Sequence, residues 1–479
     1  MGRAEQQRSW NWKESREKLR KQTTSGEPEG SRCEAGVELQ ANAEALSDSP
    51  VTEGRNDDKQ EDEEAMLERI LSKENLNLAY KRVKANRGSP GVDGMAVDEL
   101  LSFLKQQGET IRQSILDGEY VPQPVRRVEI PKPDGGVRLL GIPTVVDRWI
   151  QQAIAQELNQ TFDPGFSTSS YGFRPKKSAH QAILAARGYI KQGYQWTVDI
   201  DLETFFDKVN HDKLMSQVAR KVQDRRVLQL IQKYLEAGMM LHGVKVKSET
   251  GTPQGGPLSP LLANIILDDL DKELEKRGHK FCRYADDCNI YVRSKKAGRR
   301  VMESMTHYLE GVLKLKINRV KSAVDKPSKR KFLGFSFYQS KGEVRNFIHR
   351  KPIERFKMKV KEITSRSNGK NMDWRKEKLN YLITGWGRYF QLADMKSIAR
   401  TLDQWIRRRI RMCYWKQWKN ISAKYAELLK LGIKCHKAWE FANTRKGYWR
   451  TSNSHILSSS LTNQYLEERG FRNLTNLFM

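Results

Sequence analysis

Phe281-Cys282-Arg283-Tyr284-Ala285-Asp286-Asp287-Cys288-Asn289-Ile290-Tyr291-Val292 sets two short apolar runs around a pair of acids. Phe281–Tyr284 and Cys288–Val292 are rich in β-formers and predict two strands that meet at Asp286-Asp287. Adjacent carboxylates at a tight turn repel and raise each other's pKa unless a cation sits beside them. A second acid pair stands in Gln195-Trp196-Thr197-Val198-Asp199-Ile200-Asp201-Leu202, a predicted strand on which Asp199 and Asp201 share one face. Oxygen donors from separate elements, with few histidines or cysteines nearby, suit Mg²⁺ and not zinc. Two such ions about 3.5–4 Å apart clamp an in-line phosphoryl displacement. By itself an Asp-Asp pair at a turn is most often a solvated hairpin; only a constellation of blocks overrides that reading.

Working outward, Leu67, Ile70, Leu71, Leu76, Leu78, Ala79 and Val83 recur at threes and fours and predict helix from Met66. The glycine- and proline-rich Arg87–Gly94 loop ends it, and Asp98–Asp117 predicts a second helix. Val125–Ile130 and Val137–Ile142 flank Asp134-Gly135-Gly136, the pattern of a β-hairpin. Helix is expected over Arg148–Leu158 and Ser178–Ile190, over Asp212–Met240 with a break near Gln223-Asp224, and over Ser259–Glu275. Beyond residue 350 the chain reads as helical and very basic.

The charge supplies the partner class. The 479 residues hold 86 Lys and Arg against 58 Asp and Glu, a net of +28. Residues 1–65 run the other way, with 10 basic and 16 acidic side chains and little periodic apolar content. They read as an acidic disordered tail or as a start placed too far upstream. Residues 351–450 hold 26 basic and 8 acidic side chains and seven of the eleven tryptophans. Leu402, Trp405, Ile406, Ile410 and Cys413 form one helical face there, with Arg400, Arg407, Arg408 and Arg411 mostly on the other. Charge of one sign at that density repels itself without a polyanion, and counterion release on phosphates is the natural account. Most of the tryptophans are expected in the core. Five cysteines with no Cys-x-x-Cys pair argue against a disulfide framework and a zinc ribbon, and Cys282 and Cys288 read as small apolar fillers. No apolar run is long enough for a membrane span, so a soluble cytoplasmic protein is expected.

Tyr284-Ala285-Asp286-Asp287, Asp201-Leu202-Glu203-Thr204-Phe205-Phe206-Asp207, Thr252-Pro253-Gln254-Gly255-Gly256-Pro257-Leu258-Ser259-Pro260 and Phe332-Leu333-Gly334-Phe335 together resemble the palm of reverse transcriptases, in family order and spacing. Arg87–Gly94 and Tyr171-Gly172-Phe173-Arg174-Pro175 are similar to the bacterial group II intron-encoded enzymes in particular. The resemblance implies an α+β right-hand polymerase: fingers and palm over 66–345, with an antiparallel sheet, a helical thumb/maturase domain over 346–432, and a basic DNA-binding segment over 433–479. It implies two Mg²⁺ ions held by Asp201, Asp286 and Asp287, with Ile200 of the same strand counted among the metal ligands. Asp199 competes for the first place; the family pattern favours Asp201 because an aromatic, Phe206, follows it by five.

Phe206 would then exclude a ribose 2′-hydroxyl, or else be a core aromatic. Lys132 and Arg138 would bind the triphosphate of the incoming nucleotide, or else be solvated hairpin charges. Arg174 would meet nucleotide or template, and Gln254 would lie where the glycine-rich loop approaches a base pair. Lys321 would help pyrophosphate leave, though a lysine here is more often a surface charge. Phe332-Leu333-Gly334-Phe335 would be a primer grip or plain strand core. The implied partners are a group II intron RNA, an RNA template with a DNA primer, target DNA and deoxynucleoside triphosphates, with nucleoid association during action on DNA. The spacings of Cys413, Cys435, His436 and His455 fit no metal-nuclease pattern, so DNA cleavage by this chain is not expected. Two rival readings stay open at this stage: an RNA-binding splicing cofactor without polymerase activity, and a reverse transcriptase recruited for host repair or defence.

Overall fold

The computed structural model describes residues 65–131, 137–203, 205–241, 244–246, 255–340 and 342–477. Lys132, Gln254, the Asp134-Gly135-Gly136 turn and the acidic segment up to Glu64 lie outside the described residues. The first helical stretch is broken at Leu71-Ser72 into α1 (Met66–Ile70) and α2 (Lys73–Asn86), because Ser72 caps α2 by accepting from the Asn75 amide at 3.3 Å. Helix α3 (Leu100–Leu116) leads to the antiparallel pair β1 (Val125–Pro131) and β2 (Val137–Ile142), in register from Arg126↔Ile142 to Pro131↔Val137. The Arg87–Gly94 loop is fastened under this hairpin: Arg126 Nε donates to the Pro90 carbonyl at 3.0 Å and Arg148 Nη2 to that of Ser89 at 2.8 Å.

Helix α4 (Val145–Phe162), capped by Thr144, is buried on nearly every side and forms the axis of the largest core cluster. Helix α5 (Ala179–Lys191) starts in a Ser178/Gln181 capping box and precedes β3 (Trp196–Ile200). Helices α6 (His211–Val218) and α7 (Arg225–Glu236) follow. The helix expected to run to Met240 stops at Glu236, and Gly238 just beyond it takes the left-handed φ of 75° that glycine favours. Met239–Leu241 is instead strand β4, parallel to β1 and paired with β5 (Val244–Val246) in a sheet of order β2-β1-β4-β5.

Helix α8 (Ser259–Lys276) precedes β6 (Lys280–Tyr284) and β7 (Asp287–Val292). Helix α9 (Lys295–Gly311) and β8 (Ala323–Asp325) complete a four-stranded sheet of order β6-β7-β3-β8, antiparallel throughout. Helix α9 lies flat on it because position 298 is glycine: a Cβ there would come within 2.5 Å of Val324 Cγ1. A further hairpin, β9 (Phe335–Ser340) with β10 (Glu343–Ile348), opens the basic region. Helices α10 (Arg350–Ile363), α11 (Met372–Tyr389) and α12 (Lys396–Gln417) pack on it around Phe335, Phe356, Leu379 and Ile406, in a second core cluster. Helices α13 (Ile421–Lys430) and α14 (Cys435–Ala442) and three short helices share a small third core around Trp415, Leu428 and Leu457. Among the described residues no helix is long and apolar enough to cross a membrane.

Candidate active site

The acid pair sits on a hairpin tighter than its two flanking apolar runs suggest. Tyr284 pairs directly with Asp287, so only Ala285 and Asp286 form the loop. Two-residue hairpin loops need φ > 0 at the first central position, where glycine or asparagine is favoured. Ala285 occupies it at φ 56°, at a cost of about 1–2 kcal/mol for an L-residue. Three contacts oppose that strain. Arg283 Nη1 donates to the Ala285 carbonyl at 3.0 Å, the Tyr171 amide donates to the Arg283 carbonyl at 2.8 Å, and the Arg283 amide to that of Ser169 at 2.9 Å. The Tyr171–Phe173 segment lies so close that a Cβ on Gly172 would stand 2.3 Å from the Ala285 nitrogen. Asn264 Nδ2 holds the Gly172 carbonyl at 2.9 Å.

Gly172→Ala is therefore expected to displace the acid turn. A misplacement near 1 Å can cost about 10²-fold in rate. A turnover assay at saturating substrate should show the loss in kcat, with KM little changed; wild-type turnover would mean that this close packing does not set the acids.

Strand β3 runs beside β7 with Asp199 opposite Asn289 and Ile200 opposite Cys288. Continuing that register brings Asp201 alongside Asp287, and places Asp199, Asp201, Asp287 and Asn289 on one face of the sheet. Asn289 Nδ2 donates to Asp287 Oδ1 at 3.2 Å. Burial pushes the Asp287 carboxyl well up from the usual carboxylate range, and repulsion from Asp199, Asp286 and Asp201 adds to it. Asp201 is pinned through its backbone: its amide donates to Ser322 Oγ at 3.0 Å and its carbonyl accepts from the Asn318 amide at 2.8 Å.

The two β3 acids part company in their partners. Asp199 is buried and paired with Arg330, whose Nε lies 2.8 Å from Oδ2 and whose Nη2 also reaches that oxygen. The same Nη2 holds the Lys321 carbonyl at 2.6 Å. Burial pushes Asp199 up, and Arg330 opposes that shift. Asp201 keeps 40% of its side-chain surface exposed, with Lys321 Nζ 3.7 Å from Oδ2. Asp199 thus anchors the loop that presents Lys321, while Asp201 faces the open side of the sheet.

Of the other residues singled out in the sequence, Phe206 is half-buried, its ring centroid 5.1 Å from that of the buried Phe205 in an edge-to-face pair. The Ile200 side chain is in the core, which leaves only its main-chain carbonyl as a metal donor. Arg138 lies on β2, opposite Ile130. Arg174 is turned inward with 7% of its side chain exposed. It donates to Asp163 Oδ1 at 2.6 Å and to the carbonyls of Ser167, Ser170 and Asp163 at 2.5, 3.0 and 2.9 Å. With most of its N–H groups committed inside the protein, Arg174 clamps this loop. Leu333 and Gly334 form a tight turn at φ 50° and 86°, held by Tyr389 Oη on the Leu333 carbonyl at 2.9 Å. Cys282 and Cys288 are buried, and burial raises both thiols.

Sequence reasoning passed over Arg283, Asp271 and Arg330. An arginine inside an otherwise apolar strand run was the available signal for Arg283; nothing local marks Arg330, 131 positions from its partner.

Among the described residues no three acidic, histidine or cysteine side chains converge closely enough to enclose an ion by themselves. The donor chemistry nevertheless fits a hard divalent cation. It is all oxygen, it comes from two elements, and the neighbouring acids raise the Asp287 pKa in a way that bound positive charge reverses. Mg²⁺ is commonly held by one or two carboxylates, with substrate phosphates and water completing the shell.

A strained acid hairpin beside a third acid, on an antiparallel sheet with helical regions before and after, defines the palm of a template-directed polymerase. A family model for reverse transcriptase (RNA-dependent DNA polymerase) matches residues 130–337, and one for the group II intron, maturase-specific domain matches residues 353–432. Protein YkfC of Escherichia coli (strain K12) is 33% identical over 299 residues, which is 54% of this chain and 78% of that protein. The group II intron-encoded protein LtrA of Lactococcus lactis is 39% identical over 207 residues, 43% of this chain and 34% of LtrA. A 91 kDa protein in the cob intron of Schizosaccharomyces pombe is 34% identical over 219 residues, 44% of this chain and 26% of that protein. The match thus spans most of the first relative and about a third or less of the other two. The chain belongs to the family of group II intron-encoded reverse transcriptases and maturases. It is an enzyme of the RNA-directed DNA polymerase class, from a family that uses divalent metal ions, and its two matched segments imply binding to intron RNA.

Proposed function

We propose that this protein copies its intron RNA into DNA, extending a DNA primer with deoxynucleoside triphosphates, and that it also grips that RNA to promote splicing. The observation that carries the polymerase reading is the β3–β7 register, which sets Asp201 beside Asp287 with Asp286 next in the chain. Asp201, Asp286 and Asp287 hold two Mg²⁺ ions, whose Lewis acidity stabilises the attacking 3′-oxygen and the departing pyrophosphate when bound. Lys321, whose Nζ lies 3.7 Å from Asp201 Oδ2, offers a proton or a charge to the leaving group in this reading. Lys132 and Arg138 bind the triphosphate through charge-assisted hydrogen bonds, and Gln254 borders the nascent pair. Target DNA receives the copy, which sets the work in the cytoplasm at the nucleoid.

Primer extension on an RNA template with deoxynucleotides and Mg²⁺ tests the reading, with EDTA as the control. Extension that requires both metal and template supports it; metal-independent extension, or none from folded protein that binds RNA, overturns it.

Phe206 serves as the gate against ribonucleotides, from its half-buried place five residues after Asp201. Phe206→Val is expected to raise ribonucleotide incorporation relative to deoxynucleotide by about 10- to 100-fold, because the ring's rejection is a steric clash that a smaller side chain relieves. Competition assays with paired nucleotides measure the ratio. An unchanged ratio would assign Phe206 to packing alone.

A further inference from the structure

Helix α12, the chain just after α10, and the short helix Tyr448–Thr451 enclose an open cleft of about 510 Å³, lined by Lys361, Arg366, Arg409, Lys416, Tyr448 and Trp449 among others. Its cations are held in place by aromatic rings and backbone, not by acids. Arg366 and Lys416 lie 5.4 and 5.1 Å from the Tyr448 ring centroid, and Arg408 stacks 3.8 Å from that of Trp449. Arg409 is anchored by Nε on Thr364 Oγ1 at 2.5 Å and Nη2 on the Thr364 carbonyl at 3.2 Å. Among the described residues none of Lys361, Arg366, Arg408, Arg409 or Lys416 has a carboxylate partner. Burial pushes the Arg409 guanidinium pKa down, Cys413 opposes that shift, and repulsion from Arg366 adds to it. Trp449 stays 37% exposed beside them.

A ring stacked on a guanidinium strips water from its face and leaves its N–H rim free, which suits phosphate oxygens. An exposed indole offers a stacking surface to any unpaired base, whereas bases inside a duplex have no free face. The volume falls within the range of small-ligand pockets, roughly 300–1,000 Å³, enough for a nucleotide and not for a duplex. Trp449 and Tyr448 also lie outside the two segments matched by the family models.

We propose that this cleft seats one strand of unpaired nucleic acid, its phosphates on Arg366, Lys416 and Lys361 and one base against Trp449. The proposal rests on the nucleic-acid partner of the reading above, but not on the polymerase site. A strand seated there ties the maturase-specific helices to the segment that follows them.

The test uses the full chain with its polymerase cleft filled by excess unlabelled primer–template. The probe is a short single strand carrying one 4-thiouridine, offered as RNA, as the DNA counterpart, and annealed to its complement. Photocrosslinks are expected in the peptide holding Tyr448 and Trp449. Arg366→Glu with Lys416→Glu, two exposed positions without acid partners, is expected to lower single-strand affinity at least tenfold. It should also shrink the slope of log affinity against log salt by about 1.4, for two phosphate contacts at about 0.7 each. Trp449→Ala is expected to cost about tenfold through lost stacking, and thermal unfolding of each variant checks the fold. Preference for RNA or for DNA among single strands identifies the source, and either supports the cleft. Unchanged affinity and slope in the charge reversal, crosslinks only elsewhere, equal use of duplex, or tighter binding of an acidic peptide overturns it. Primer extension on the same preparations reports on the polymerase site separately, so its failure would leave a positive crosslink standing.

Discussion

Asp287→Ala is expected to lower RNA-templated DNA synthesis by about 10²- to 10³-fold, the scale set by removing one preorganised group that stabilises developing charge. The strand register is the reason. Asp287 opens β7 opposite Tyr284, and the β3–β7 register carries it alongside Asp201. The loss should not come from unfolding. Asp287 is held up in pKa by burial and by three other acids, and removing it relieves repulsion. Thermal stability without metal is therefore expected to be unchanged or higher, and RNA binding and assisted splicing should persist. Asp286→Ala is expected to behave alike, whereas Asp199→Asn should be milder, since Asp199 acts through Arg330 and the Lys321 loop. Single-turnover extension, thermal unfolding and a splicing assay on the same preparations separate these effects. Synthesis within tenfold of wild type in Asp287→Ala would remove it from the site.

Much of this was legible in residues whose local neighbours decide their conformation. The β6–β7 hairpin follows from β-formers around Asp286-Asp287, and the α5 start from Ser178 with Gln181 three residues on. Where the outcome depends on distant partners, local pattern fails. Met239 reads as the tail of a helix but is a strand residue, because Gly238 ends the helix and Val125 offers a pairing edge 114 positions upstream. Nothing near Arg174 in the sequence marks its internal partners, and only the fold brings Asp163 and three carbonyls to it. The basic face of α12 reads as a surface for a polyanion, yet Arg411 clamps the Leu461 carbonyl at 2.8 Å, and the buried Asp403 between the cations accepts from the amides of Leu474 and Thr475 at 2.8 Å each. The resemblance to a family pointed to the acid triad, whereas nothing pointed to what holds its turn: Ser170, Asn264 and Asp271 share no motif with Arg283.

That turn leads to the second large effect. Arg283 and Asp271 are both fully buried. Nε of Arg283 lies 2.7 Å from Asp271 Oδ1 and Nη2 2.5 Å from Oδ2, with Asn264 Oδ1 at 2.9 Å and Ser170 Oγ at 2.8 Å completing the network. Arg283→Met strands a buried carboxylate, which costs about 3–5 kcal/mol, and Asp271→Asn strands the guanidinium with a similar loss. Arg283→Met with Asp271→Leu removes both charges, and such replacements are often neutral in stability, so most of the loss should be recovered. Activity should not recover with it. The Ala285 carbonyl loses its donor in the double variant, and the strained turn that carries Asp286 and Asp287 is then free to relax. The double variant is therefore expected to unfold near the wild-type temperature yet extend primers about 10²-fold more slowly, with nucleotide KM little altered. Denaturation curves beside steady-state extension make the comparison. If rate and stability recover together, Arg283 is a core ion pair only; if stability recovers alone, the arginine is what holds the catalytic turn in shape.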